Sequence, residues 1–308
     1  MQRFAWFYVG YLVAVILFGA WVRITGAGAG CGDHWPMCNG EVVPQAPGAK
    51  TIIEFTHRVT SGLCGLFGLA LLVWVWRRAG PGRAFYAALA SLFFLLVEGF
   101  IGAVLVKKQL VVDDASVSRA LVISIHLANT LLLTATTAAA ARWSAPHVAR
   151  AAAGSGPGFR WLGAALGALI LANITGAITA LGDTLFPVPP TLGAGLFARI
   201  REDLTAGQHF LVQLRIVHPL VAAGTALFLL GVFAALRRQG TAQGRLLTWT
   251  AGVVLLQVSL GVMNIALAAP GWMQIVHLLV AQAIWILTAI AWLDAWPAPH
   301  RQHDGQRA

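Results

Sequence analysis

The chain has 308 residues, of which 58% are hydrophobic and only 10% are charged, and its mean hydropathy is +0.75. An ordinary soluble domain carries roughly 25% charged residues. The composition therefore excludes a soluble globular protein and indicates a polytopic membrane protein. The net charge of +10 is not accompanied by a basic patch interleaved with aromatic residues, which argues against nucleic acid as a partner.

Eight apolar runs are long enough to cross a membrane as helices. A hydrocarbon core of about 30 Å needs about 20 helical residues. Runs of this kind lie near residues 5–22, 51–76, 84–106, 118–141, 161–182, 208–236, 246–269 and 273–293. The first run follows Arg3 but has no small-residue cleavage site before a soluble domain, so we expect a retained span and not a signal peptide. The predicted fold is an all-α integral membrane protein surrounded by lipid.

Lysine and arginine are unevenly distributed between the two sides of the predicted protein. If the N-terminus is cytoplasmic, twelve of them lie in the cytoplasm: Arg3, Arg77, Arg78, Arg83, Arg142, Arg150, Arg160, Arg237, Arg238, Arg245, Arg301 and Arg307. Seven lie on the other side: Arg23, Lys50, Lys107, Lys108, Arg119, Arg199 and Arg201. Because cytoplasmic loops carry the excess of Lys and Arg, we expect a protein of the inner (cytoplasmic) membrane with both termini in the cytoplasm.

Four histidines lie near the starts of the even-numbered spans: His57, His126, His218 and His277. Each falls roughly 4 to 10 residues into its span, about 6–15 Å below the outer surface at 1.5 Å per residue. Titratable side chains are rare inside a membrane and usually mark a functional site. A single such histidine would be explained by hydrogen-bonded packing, whereas four at matching depth predict metal ligands toward the outer face.

The two halves of the chain repeat each other. Segments 11–140 and 167–293 each contain four spans and two of the four histidines. Two short runs also match: residues 19–22 with 176–179, and residues 98–102 with 257–261. Such repeats are typical of two pseudo-symmetric halves. We therefore predict an N-terminal four-helix bundle (1–141), a cytoplasmic linker (142–160) and a C-terminal four-helix bundle (161–308).

Each predicted bundle contains one histidine pair, His57 with His126 and His218 with His277. Two imidazoles facing each other across a bundle form a bis-axial site for haem iron, and the flat apolar ring of the haem fills the space between the helices. Zinc fits less well, because its sites take three or four protein ligands and no carboxylate or thiolate cluster completes these pairs.

The two bundles differ one turn before the first histidine. Glu54 lies three residues before His57 and on the same helix face, whereas Arg215 has the matching position before His218. A charged carboxylate inside a bilayer costs several kcal/mol, which favours a role in proton transfer. Two interpretations of Glu54 are open: a group for the chemistry, or a structural ion pair with Arg58. The difference suggests one site for chemistry and one for electrons.

These residues resemble the heme A synthase family, membrane enzymes that oxidise haem O to haem A during assembly of terminal oxidases. The resemblance covers nearly the whole chain through VRITG at 22–26, CGDHWPMC at 31–38, EFTHR at 54–58 and the three later histidines. It implies two successive oxidations of a porphyrin methyl to an aldehyde, with Glu54 as catalytic acid/base or radical-stabilising group. It also implies that His57 and His126 bind the substrate haem, and that His218 and His277 are the iron ligands of a resident haem b.

The resemblance further implies a disulfide between Cys31 and Cys38, in an extracytoplasmic loop where oxidising conditions let such a bond persist. Cys64 is interpreted as a packing residue. The implied partners are haem O, haem O synthase, oxidase assembly factors and an electron donor or acceptor. The sequence departs from the family where His218 is followed by Pro219 in place of the common arginine, and where the loop after the fifth span has no cysteine. The competing interpretation is a dihaem b-type electron carrier linked to quinol, which has no need of Glu54.

Overall fold

The computed structural model describes residues 1–145, 157–188, 196–240 and 243–296. Within these ranges every regular element is a helix, and the only β-type pairing is an isolated bridge between Cys38 and Glu41. Eight helical segments are long and apolar enough to cross a membrane, which confirms the predicted all-α membrane fold. Most of the predicted linker 142–160 and the tail after residue 296 lie outside the described residues.

The helices follow one another along the described part of the chain as α1 (Gln2–Ile24), α2 (Ala49–Ala79), α3 (Arg83–Lys107), α4 (Val117–Trp143), α5 (Pro157–Leu185), α6 (Leu196–Asp203), α7 (Phe210–Gln213), α8 (Val217–Arg238), α9 (Gly244–Ala266) and α10 (Gly271–Asp294). All but α6 and α7 are long enough to span a membrane, and α7 continues into α8 to form the sixth span. The short helix α6 lies in a loop and was not predicted from the sequence.

The sixth span begins irregularly, and Pro219 explains why. The short helix α7 is followed by a 3₁₀ turn, Leu214–Ile216, before the regular helix α8 begins. Proline has no backbone N–H to donate to the carbonyl four residues earlier, and its ring clashes with that carbonyl. A regular α-helix therefore cannot run from Phe210 through Pro219, and the chain tightens into a 3₁₀ turn just before it.

Each half of the chain forms a ring of four helices. In the first half α1 contacts α2 and α4, and α3 contacts the same two helices; in the second half α5, α8, α9 and α10 contact one another in the same order. The halves meet where α4 packs against α5 and α10, and where α1 packs against α10. The arrangement is that of two four-helix bundles side by side.

Polar contacts join the halves at several depths. Arg142 on α4 makes a two-point ion pair with Asp294 on α10, with N–O distances of 2.8 and 2.9 Å. Deeper in the interface, the buried Trp285 indole donates to the backbone carbonyl of Leu131 at 2.8 Å. At the other end Arg23, on α1, donates to groups on α5 and α10. Because these bonds tie α4 and α1 to the second half, the two histidine pairs are held in one framework.

Candidate functional site

All four predicted ligands lie at one end of the protein, which we call the histidine end: the end where α1, α3, α5 and α9 finish. The four side chains lie on α2, α4, α8 and α10, each within the first ten residues of its helix. They are His57, His126, His218 and His277. Since these helices all begin at the histidine end, the structure places the four imidazoles at similar depth.

The imidazoles of His218 and His277 lie close to each other in an edge-on arrangement. Their ring centres are 6.4 Å apart and their planes are inclined at 89°. With metal–nitrogen bonds of about 2 Å and roughly 1 Å from nitrogen to ring centre, two imidazoles on opposite faces of one metal have centres about 6 Å apart. The separation of the two rings fits a bis-histidine haem site in the second bundle.

Three of the four imidazoles pack directly against a glycine. A Cβ atom would lie 3.1 Å from the ring at Gly19 beside His57, and 3.0 Å from it at Gly176 beside His218. At Gly261, beside His277, it would lie 3.3 Å from the ring. These distances are shorter than ordinary carbon contacts of about 3.5–4.0 Å, so a larger residue would displace the ring. The first two glycines are matching positions of the internal repeat.

His126 differs from the other three because its neighbour is a carboxylate. Its Nδ1 atom lies 3.4 Å from Oε1 of Glu98, while the repeat glycine Gly102 has open space around its Cβ position. The residue matching Glu98 is Gln257, whose Nε2 atom lies 3.0 Å from Nε2 of His277. The internal repeat aligns these two positions, but neither was predicted as a site residue. The sequence does contain a signal for Glu98, because an acidic residue inside a membrane span often marks a functional site.

Glu54 is buried, with 3% of its surface exposed, and both of its carboxylate oxygens are engaged. One oxygen accepts from Arg58 Nε at 3.1 Å and from the same guanidinium's Nη2, and the other accepts from the backbone N–H of Cys31 at 2.8 Å. The structural ion pair left open by the sequence is therefore present. In this ion pair the Glu54 side chain lies one turn from His57, on the helix face that the i,i+3 spacing predicts.

Arg58 extends this contact to the loop that precedes α2. Its Nη1 atom donates to the backbone carbonyls of His34 at 2.6 Å and Met37 at 2.8 Å. In the same loop Cys31 and Cys38 are buried and form a pair, with their Cα atoms 4.4 Å apart. The Glu54–Arg58 pair thus holds the loop over the first bundle.

Arg215, at the position matching Glu54, is paired with two carboxylates. Its guanidinium lies 3.0 Å from Asp183 and 3.2 Å from Asp203. It also donates to the carbonyls of Gly182 and Phe186. The second bundle therefore has a compensated cation where the first has the Glu54–Arg58 pair.

Arg23 bridges the two bundles at the histidine end. From the end of α1 it donates to the Ala180 carbonyl at 2.6 Å, to Gln274 Oε1 at 2.9 Å and to the Thr184 hydroxyl. Two of these acceptors belong to α5 and one to α10. The guanidinium therefore lies where the two bundles meet at the histidine end.

The remaining histidines have other surroundings. His209 caps α7 by accepting from the backbone N–H of Leu211 at 3.3 Å, and it stacks on Phe186. His34 is exposed, whereas His147, His300 and His303 lie outside the described residues. Among the residues that the structure describes, no three His, Cys, Asp or Glu side chains are grouped to hold a metal ion. The two histidine pairs are thus the candidate haem-binding sites among these residues.

Comparison with known proteins identifies the family of this chain. Residues 2–289 match the COX15-CtaA family, described as cytochrome oxidase assembly protein. The chain belongs to this family. It is 45% identical over 290 residues to a protein from Thermus thermophilus named Protoheme IX farnesyltransferase, a match that covers 93% of this chain and 47% of that protein. The chain therefore spans about half the length of this relative.

Shorter matches connect the chain to proteins named Heme A synthase. The one from Alkalihalophilus pseudofirmus is 42% identical over 96 residues, which is 31% of this chain and 32% of that protein. The one from Geobacillus kaustophilus is 43% identical over 108 residues, 33% of this chain and 34% of that protein. These findings confirm the family that the sequence motifs predict.

Proposed function

We propose that this protein is a heme A synthase, an oxidoreductase that converts the methyl group of haem O into the formyl group of haem A in two successive oxidations. The observation that carries the proposal is the placement of two histidine pairs at one end of two matching bundles, in a chain of the COX15-CtaA family. The name Heme A synthase on two relatives supports the reaction.

In this proposal the C-terminal bundle (161–308) holds a resident haem b through His218 and His277. The 6.4 Å separation of their ring centres supports this assignment. When bound, a haem of this kind supplies one-electron transfer. Gly176 and Gly261 leave room for the two imidazoles, and Arg215 at the matching position is paired with Asp183 and Asp203.

The N-terminal bundle (1–141) is proposed to bind the substrate, haem O, through His57 and His126. Glu54 is the proposed catalytic acid/base, because it lies one turn from His57 and is shielded from solvent. Arg58 and the Cys31 amide orient its carboxylate. The disulfide between Cys31 and Cys38 is proposed to keep the loop that supplies this amide in place.

The proposed setting is the inner (cytoplasmic) membrane, with both termini in the cytoplasm and the histidine end toward the outer face. The excess of Lys and Arg on the opposite side supports this orientation. The proposed partners are an electron donor or acceptor, oxidase assembly factors and a haem O synthase. The last is supported by the relative named Protoheme IX farnesyltransferase, whose length exceeds the region that this chain matches.

A dihaem b-type electron carrier is the second candidate, and the paired state of Glu54 favours it. A carboxylate already bonded to Arg58 and to Cys31 has a structural role that needs no chemistry. The two histidine pairs alone are compatible with either function, the synthase or the electron carrier.

Expression in cells that make haem O but no haem A separates the two candidates. Haems extracted from cells expressing the full chain are resolved by chromatography and identified by mass spectrometry. Appearance of haem A with the wild type, and its loss with His57→Ala, is expected for the synthase. If the wild type binds haem yet forms no haem A despite ample haem O and oxygen, the protein is the electron carrier.

A further inference from the structure

Glu98 is a second acid of the first bundle, and it contacts a proposed haem ligand directly. We infer that Glu98 is a positioning residue for His126, an inference that rests on the proposed binding of haem by His126. The Oε1 atom of Glu98 lies 3.4 Å from Nδ1 of the imidazole. A carboxylate on the Nδ1 side fixes the tautomer and the orientation of the ring. It leaves Nε2 as the nitrogen available to the iron of the substrate haem.

The carboxylate of Glu98 is itself held in place from the helix that carries His126. Its Oε2 atom accepts from Asn129 Nδ2 at 2.6 Å, and its Oε1 atom accepts from the Thr130 hydroxyl. Asn129 is anchored in turn by donating to the Phe94 carbonyl at 2.9 Å. These donors follow His126 by three and four residues, which is one helical turn. The ring and the carboxylate are therefore fixed by the same turn of α4.

The hydrogen-bonding capacity of Glu98 leaves one position for the ring. A carboxylate oxygen has two lone-pair sites, and the Thr130 hydroxyl uses one of those on Oε1. The other is free to accept from Nδ1–H of His126, which is buried without a hydrogen-bond partner. Hydrogen bonds around a reactive site are often long without substrate and shorten when it binds. The Nδ1 atom of His126 is 3.4 Å from Oε1 of Glu98, so a small rotation of the ring would form this hydrogen bond.

The second bundle shows that a carboxylate is not needed merely to build the fold. Gln257 has the matching position, and its neutral amide contacts His277. A carboxylate partner makes an imidazole a stronger donor to the metal, and a stronger donor favours ferric over ferrous iron. The structure therefore predicts that the first-bundle haem is tuned toward the ferric state by a group that the second bundle lacks.

The test uses the purified full-length protein loaded with haemin. Affinity is measured by absorbance titration and midpoint potential by redox titration, for the wild type, Glu98→Gln and Glu98→Asp. The signal that His126→Ala removes is assigned to the first bundle, and the second haem is the internal control. Loss of a ligand's hydrogen-bond partner typically costs 10–100-fold in affinity. We expect about a tenfold loss specific to ferric haem, which for one electron raises the potential by about 59 mV.

The two variants remove the contact in different ways. Glu98→Gln removes the charge at nearly constant volume, and Glu98→Asp keeps the charge but withdraws the oxygen beyond hydrogen-bond reach of His126. Both are expected to weaken ferric haem binding at the first site while the second haem keeps its potential. If the Gln variant does not fold, the Asp variant decides. Unchanged affinity and potential at the first site would overturn the inference. A wild type that binds no haem at His126 would instead contradict the proposed function.

Discussion

The contact between Gly176 and His218 gives a quantitative test of the proposed haem b site. A Cβ atom at residue 176 would lie 3.0 Å from Cε1 of the imidazole, whereas non-bonded carbons prefer about 3.5–4.0 Å. In a Gly176→Ala variant the ring must therefore move by roughly 0.5–1 Å. Haem binding would force the displaced ring back toward residue 176, so an overpacking cost of about 1–3 kcal/mol falls on the haem-bound state, and about 1.4 kcal/mol is a factor of ten in a binding constant. We expect haem affinity in the second bundle to fall about tenfold or more.

Gly167 provides the matched control because it lies on the same helix and its Cβ position has open space around it. Both Gly→Ala substitutions gain about 1 kcal/mol of helix propensity, so the difference between the variants isolates the contact with His218. Each full-length variant is titrated with haemin while the low-spin haem absorbance is recorded. Equal affinities of Gly176→Ala and Gly167→Ala would refute the idea that this glycine positions the ligand.

Three further predictions concern the ligands, the loop and the acid. His218→Ala or His277→Ala should abolish most of the haem spectrum, because each removes one of two neighbouring imidazoles. His209→Ala, at a helix cap, should retain it. Unchanged haem in both ligand variants contradicts the assignment. Under denaturing conditions without reductant, a thiol reagent should label only Cys64, and after reduction all three cysteines; labelling of all three beforehand rules out the disulfide. Glu54→Gln keeps the side-chain volume but removes the ionisable group, so haem binding should stay near normal while haem A formation collapses and haem O or its alcohol accumulates in extracts. Wild-type levels of haem A would leave Glu54 as a structural partner of Arg58.

The spans could be predicted from the sequence because a membrane requires about 20 apolar residues per helix. The ends could not be predicted closely, since a helix continues beyond its apolar run wherever polar side chains reach the interface. The predicted run 51–76, for example, belongs to a helix that continues through Arg77 and Arg78 to Ala79. The irregular start of the sixth span follows from Pro219. Proline has no backbone N–H to donate to the preceding turn, so that turn cannot be a regular α-helix.

The site was predictable where spacing along one helix decides it. The depth of the four histidines and the i,i+4 relation of Glu54 to Arg58 are properties of single helices. Contacts between helices were not predictable in this way. The repeat marked Gly176 and Glu98 as positions with counterparts, but the approach of each to a histidine on another helix depends on how the helices are rotated and packed.

A duplicated bundle can bind two haems in the same way, so any division of labour must come from the positions where the copies differ. Two such positions lie beside the histidines: Glu54 where the second half has Arg215, and Glu98 where it has Gln257. In both, the carboxylate belongs to the first bundle. Oxidation of a methyl group releases protons as well as electrons, and a carboxylate can accept a proton or strengthen an imidazole ligand. A haem that only transfers electrons needs neither a proton acceptor nor a strengthened imidazole ligand. The second half has carboxylates as well, Asp183 and Asp203, but they contact Arg215. The acids at the two aligned positions therefore support the proposal of substrate oxidation in the first bundle and electron transfer in the second.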